Sequence, residues 1–329
     1  MRVLITGGGG FLGTKLAAAL AKKGALNGHE LTHVVQSDIF APDPVAASYK
    51  TEGIALDVSD KDAVSAAFAE PFDVIFHLAA IVSGQAELEF DLGLNINLFG
   101  SLNLFEAARH GGNKPIFVYT SSCAAYGGEW GEEITDFTFL NPQTSYGAQK
   151  AAGELLLTDY SRKGFLDGRG LRLPSVTVRP GKPNAAASSF MSSIFREPLQ
   201  GDTANCPVSE DYRVWNSAPR TVVANLVHAA EVPEEAWGMN RCLAIPGQSV
   251  RVGDMVQAMT NVAGSNAAGL ITWNEDPFIQ KICEGWPQDM KTDKAIRLGF
   301  HQDKGFEDNI RWFLEDDIQP QSQRSGNPD

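Results

Sequence analysis

The chain has 329 residues, is 43% hydrophobic and carries a formal net charge of −13. That length exceeds what one compact α/β domain usually needs, so a second, smaller region is expected. The acidic balance argues against nucleic acid or an anionic membrane as partner, no apolar run approaches a membrane span, and the 4 cysteines, Cys123, Cys206, Cys242 and Cys283, lack any zinc-ligand spacing and read as reduced thiols.

Residues 1 to 6 form an apolar strand that runs into the glycines 7 to 10, and residues 14 to 23 follow with a helical pattern. Gly7, Gly8, Gly10 and Gly13 satisfy both G-x-x-G-x-x-G and G-x-G-x-x-G. Such glycines allow a tight turn, backbone approach to a pyrophosphate and close packing of helix on strand. The phosphates are expected on the helix N–H groups starting near Phe11 and Leu12, where the dipole favours negative charge. Because the first residues already form a strand, no secretory leader is expected, which favours the cytoplasm. Residues 29 to 36 read as a second strand ending at Ser37-Asp38-Ile39. An acid roughly 25 residues beyond the glycines accepts hydrogen bonds from ribose hydroxyls and repels a 2′-phosphate, so NAD is expected rather than NADP.

Strand and helix patterns continue to alternate. A third strand at 53–56 ends in Asp57-Val58, a helix covers 62–68, and a buried strand at 73–78 ends in Ala79-Ala80. Leu94, Leu98, Leu102 and Phe105 recur at near-helical spacing through 94–109, a fifth strand covers 116–120, a long helix 145–164 and a sixth strand 176–179. The class expected is therefore α/β, a doubly wound parallel sheet of Rossmann type. Residues 1–180 would bind the dinucleotide, with 221–245 returning to that domain. Residues 181–220 and 246–318 would form a substrate-binding region with helices near 252–262 and 306–314, and the polar tail 319–329 is expected to be disordered.

The chemistry is carried by Tyr146-Gly147-Ala148-Gln149-Lys150. Residues four apart share a helix face, so phenol and ammonium stand side by side. A nearby Lys⁺ stabilises phenolate and is expected to lower the tyrosine pKa, giving a general base. The hydroxyls of Thr120-Ser121-Ser122 lie at the carboxyl end of the fifth strand, the edge where open α/β sheets bind ligands.

With these residues the chain resembles the extended short-chain dehydrogenase/reductases, a family of NAD-dependent sugar epimerases, dehydratases and dehydrogenases. The resemblance covers residues 1 to about 185 motif by motif. Thr6 to Gly13 match the family's cofactor turn, Asp57-Val58 its adenine-contacting pair, His77-Leu78-Ala79-Ala80 the segment along the cofactor, and Asn97 with Gly100 a structural helix motif. The match implies Ser122, Tyr146 and Lys150 as the catalytic group. It implies Gly7, Gly10, Phe11, Leu12, Asp38, Ile39, Asp57, Val58, Leu78, Ala79, Ala80, Tyr146, Lys150 and Pro180 as cofactor contacts.

The stretches 80–84, 179–184, 188–190, 196–199 and 218–220 look most like the D-erythronate dehydrogenase branch, whose members oxidise the C2 hydroxyl of a four-carbon sugar acid. A sugar-acid carboxylate needs fixed donors, and arginine offers a planar fork. Arg196 and Arg220 are the candidates, Lys182 the third, with an internal salt bridge as the alternative for each. Ser83 and Asn184 would hold the remaining hydroxyls. An NDP-sugar epimerase with tightly held NAD is the rival reading. A dehydratase fits less well, because Cys123-Ala124 stands where an Asp-Glu pair belongs, and a non-catalytic NAD(H) sensor has no need of a general base. Helices 94–109 and 145–164 match those that pair family members into dimers, though their apolar faces can equally pack inward.

Overall fold

The computed structural model describes residues 1–129, 131, 133–182 and 187–318. Asn184 and the tail 319–329 lie outside the described residues. The chain divides into two compact units, one of Met1–Pro174, Val222–Pro246 and Met290–His301, the other of Ser175–Thr221, Gly247–Asp289 and residues 302–318.

The first unit is built on a seven-stranded parallel sheet. Its strands, in chain order, are β1 (Arg2–Thr6), β2 (His33–Asp38), β3 (Lys50–Ala55), β4 (Val74–His77), β5 (Ile116–Ser122), β6 (Asp167–Leu173) and β7 (Cys242–Ala244), in the spatial order β7-β6-β5-β4-β1-β2-β3. Val3, Leu4 and Ile5 of β1 and Val74, Ile75 and Phe76 of β4 are all wholly buried. Strands covered on both faces read as continuous apolar runs, and each such side chain contributes about 1.5–3 kcal/mol on burial. The helices α1 (Phe11–Lys23), α2 (Lys61–Ala67), α3 (Ser101–Gly111) and α4 (Ser145–Arg162) link consecutive strands. Leu4, Ile75, Leu104, Phe105, Phe117 and Leu157 meet in one core between sheet and helices.

The strand order turns outward from β1 and β4, which makes their carboxyl ends the switch point where such sheets bind ligands. Register aligns those ends: Thr6 stands beside Ser37 on one side and His77 on the other, and His77 stands beside Tyr119.

The sixth strand departs from the sequence expectation. It is Asp167–Leu173, and Ser175–Val176 instead pairs with Arg213–Ser217 in the second unit. The segment Asp-Gly-Arg-Gly-Leu-Arg-Leu has no apolar periodicity, yet six of its seven residues are buried. Its charges are neutralised internally, Arg169 by Asp167 at 2.5 Å, Asp167 by Arg241 at 3.0 Å and Arg172 by Glu154 at 2.6 Å.

In the second unit, Gln248–Arg251, Arg213–Ser217 and Ser175–Val176 form a three-stranded sheet, and Ala204–Cys206 pairs with Ile271–Trp273. Helices Phe190–Arg196, Val252–Ala263 and Phe306–Asp316 close its core through Phe195, Met255, Met259, Phe306, Ile310 and Phe313. The spacing of Val252, Met255 and Met259 is what turns one face of their helix inward.

Candidate active site

At the end of β1 the backbone makes its tight turn at Gly7, whose φ of +69° is a left-handed conformation that side chains disfavour. A Cβ at Gly7 would stand 2.7 Å from the Ala79 nitrogen, and one at Gly13 would overlap the Gly7 carbonyl. Turn, helix and the segment after β4 therefore approach backbone to backbone. No side chain caps the N-terminus of α1 at Gly10, and its first turn holds no acidic residue, so first-turn N–H groups face outward for an anion. Asp38, at the end of β2, accepts from the Gly9 nitrogen at 3.1 Å and from the Ile39 nitrogen at 2.8 Å, which keeps its carboxylate beside the turn with lone pairs to spare. A glycine cradle, an uncapped helix start and an adjacent carboxylate fit a dinucleotide's pyrophosphate and ribose. Leu78, Ala79 and Ala80 follow β4 and are partly buried. Val58 is buried against Gly100, and the Asp57 carboxylate accepts from the nitrogen and hydroxyl of Ser59.

Ser122 closes β5 and caps the short turn Cys123–Ala125, its Oγ accepting from the Ala124 nitrogen at 3.1 Å. Thr144 caps α4 through the Gly147 nitrogen and so fixes the first turn, which carries Tyr146. One turn later Lys150 is 1% exposed; its Nζ donates to the Thr120 carbonyl at 2.8 Å and lies 5.8 Å from the centre of the Tyr146 ring and 5.1 Å from that of Tyr119. Ser122, Tyr146 and Lys150 are thus brought together at the carboxyl end of β5.

The charge states differ from the expectation that Lys150 depresses the phenol. Burial pushes Tyr146 up to about 12, with hydrogen bonding to Ser122 acting in the opposite direction. The same burial draws Lys150 down to about 8, opposed by the charge of Glu154. For the phenol, the cost of burying its charged form outweighs what one neighbouring ammonium offers.

Behind these groups runs a buried polar chain. The Ser101 hydroxyl donates to the Asn97 carbonyl at 2.6 Å, so at 2.9 Å it accepts from His77 Nε2, and His77 Nδ1 accepts from the Thr6 hydroxyl at 2.7 Å. His77 is held neutral, its pKa pulled to about 3 by burial and then by the Lys150 charge. Asn97, at the wide π-helical segment Leu94–Gly100, accepts from the Ile81 nitrogen at 2.8 Å and donates to Gln149 Oε1 at 2.7 Å.

This arrangement is matched by known proteins. Residues 3–230 fit the model of the NAD dependent epimerase/dehydratase family. The chain belongs to that family. It is an NAD-dependent oxidoreductase. A D-erythronate dehydrogenase of Cupriavidus necator is 46% identical to it over 96% of this chain and 98% of its own length. One from Haemophilus influenzae is 42% identical over 97% and 100%. A crystal structure described as a nucleoside-diphosphate-sugar epimerase from Agrobacterium tumefaciens superposes with a TM-score of 0.92 at 44% identity, covering 96% of this chain and 94% of that one.

The substrate candidates of this family member are scattered. Ser83 opens the helix Ser83–Leu88 of the first unit and is partly buried. Arg196 and Arg220 belong to the second unit, as does Pro180, expected as a cofactor contact. Arg196 is 2% exposed and donates to the Arg179 carbonyl at 3.1 Å and to Glu197 at 2.6 Å. Arg220 is bound to Asp316 and Glu315, with Trp312 beneath it. The salt-bridge alternative therefore describes both, Arg196 with its chain neighbour Glu197 and Arg220 with two acids on a helix about 95 residues away that spacing alone did not connect to it. Lys182 is exposed.

Sequence reasoning passed over Glu154 and Arg172. The signal was present: Glu154 follows Tyr146 and Lys150 at four-residue steps on α4, so a charge continues the buried face of that helix.

Proposed function

We propose that the chain oxidises the C2 hydroxyl of D-erythronate to the 2-keto acid, with NAD⁺ as the oxidant. The observation that carries the substrate is the likeness, over nearly the whole length of both partners, to two D-erythronate dehydrogenases. The clustering of Ser122, Tyr146 and Lys150 supports the chemistry. NAD⁺, when bound, would supply the acceptor for the hydride that leaves C2. Tyr146 must first give up its own proton to solvent, the Lys150 charge offsetting part of the burial penalty; as phenolate, its Oη takes the hydroxyl proton as C2–O becomes a carbonyl, and Ser122 Oγ holds that oxygen by a hydrogen bond. Lys150, anchored on the Thr120 carbonyl, keeps positive charge near the phenol and would hold the ribose hydroxyls of the cofactor. The glycine turn and the α1 N-terminus would hold the pyrophosphate, with Asp38 on the adenosine ribose. Ile39, Asp57, Val58 and Leu78 to Ala80 would line the dinucleotide. The first unit is the cofactor domain in this reading. A second copy of the chain would pair along α4 and the helical stretch of Leu94–Gly100 and α3, where Leu155 and Phe99 stay 72% and 46% exposed.

Purified protein mixed with NAD⁺ and a panel of aldonic and uronic acids should form NADH with D-erythronate above all others. The epimerase reading, favoured by the description of the Agrobacterium structure, requires silence across that panel together with NAD retained through purification and interconversion of nucleotide sugars.

A further inference from the structure

The proposed catalytic groups come from two different elements. Ser122 ends β5, whereas Tyr146 and Lys150 ride on α4. Proton transfer needs their oxygen atoms held to a fraction of an ångström, and a helix resting on a strand end through apolar contact alone can slide.

A buried ion pair ties the two together. Glu154, one turn beyond Lys150, accepts from the Ser121 hydroxyl at 2.5 Å through Oε1. Arg172 of β6 reaches both oxygens of that carboxylate, Nε at 3.0 Å and Nη2 at 2.6 Å, while its Nη1 donates to the Tyr126 hydroxyl at 2.8 Å. Its guanidinium carbon also lies 5.0 Å from the centre of the Tyr126 ring. The side chains of Arg172 and Glu154 are only 7% and 4% exposed. The residue immediately before Ser122 is thus bound to the carboxylate on α4, and the one four places after it to the guanidinium of β6, the two halves of one ion pair. A guanidinium is planar, so fixing Nε and Nη2 on Glu154 fixes where Nη1 meets Tyr126. A buried ion pair adds little stability over well-packed apolar residues of the same volume; directional constraint is what it offers instead.

We infer that Glu154 and Arg172 are positioning residues, which hold Ser122 in register with Tyr146 and Lys150 by gripping Ser121 and Tyr126. The inference rests on the Ser122, Tyr146 and Lys150 reading above. Its test uses Ser121→Ala, Tyr126→Phe and the double variant, each removing a hydroxyl while leaving the ion pair whole. With whichever acid the wild type turns over, each single variant should lose about five- to tenfold in kcat and the double variant more. The KM for NAD⁺, its dissociation constant from tryptophan quenching and the melting temperature should stay close to wild type. Wild-type kcat in all three variants would overturn the inference, as would kcat, cofactor affinity and melting temperature declining together, the mark of a structural role. Tyr146→Phe in the same panel separates the two layers. If it retains full turnover, the catalytic reading itself fails; if it is inactive while the three variants are unimpaired, only the positioning role falls.

Discussion

β1 and β6 are both buried strands of one parallel sheet, and they are buried by opposite means. β1 is an apolar run whose continuation into α1 depends on backbone touching backbone, with no room for a Cβ at Gly7 or Gly13. β6 buries Asp167, Arg169 and Arg172 and depends on side chains from α4 and from Arg241 to neutralise them. The first device is written in adjacent residues. The second exists only once distant elements have met, and unpairing it leaves a charge in a medium that cannot solvate it.

The largest test of that contrast is to break the pair on β6. Glu154→Ala should cost about 3–5 kcal/mol of unfolding free energy in urea titration, because Arg172 is left charged and buried. Glu154→Leu combined with Arg172→Met should recover most of that loss while turnover stays impaired, which distinguishes stability from positioning. On the β1 side, Gly13→Ala would press a methyl into the Gly7 carbonyl, and NAD⁺ affinity by calorimetry should fall about a hundredfold, equivalent to about 2.7 kcal/mol. An unchanged affinity would show that the turn has slack the close approach denies.

Between the two strands stands β4, whose His77 gives a smaller effect with a definite sign. Its folded pKa is about 3 against an ordinary 6.5. As pH falls below 6.5 the unfolded chain takes up the proton first, so this group's contribution is complete above 6.5 and is lost on the way to 3. The slope is about 1.4 kcal/mol per pH unit. Denaturation of wild type and His77→Gln at successive pH values should show that slope reduced in the variant. The smallest effect belongs to the surface: Leu155→Ser should change monomer stability by less than about 0.5 kcal/mol, yet shift the mass measured by light scattering if α4 pairs two copies.

What the sequence made legible follows the same division. The glycine turn, Asp38 at the end of β2 and the Tyr146/Lys150 face were readable because each is set by neighbours within one strand-turn-helix step. Apolar pattern marks a buried strand and so points to 176–179, whereas β6, Asp167–Leu173, hides its burial behind paired charge. Arg220 stays open in the sequence between a substrate carboxylate and an internal salt bridge, because Glu315 and Asp316 are remote along the chain. The phenol of Tyr146 was expected low from its lysine neighbour, but burial, which no spacing reports, drives it up.

The most direct test of the central claim uses D-erythronate carrying deuterium at C2, mixed with NAD⁺ and the purified protein. The account predicts NADH that carries the label, one deuterium per keto acid formed. Label that stays in the sugar acid, or NADH formed without it, would contradict oxidation at C2 and with it the assignment of this site.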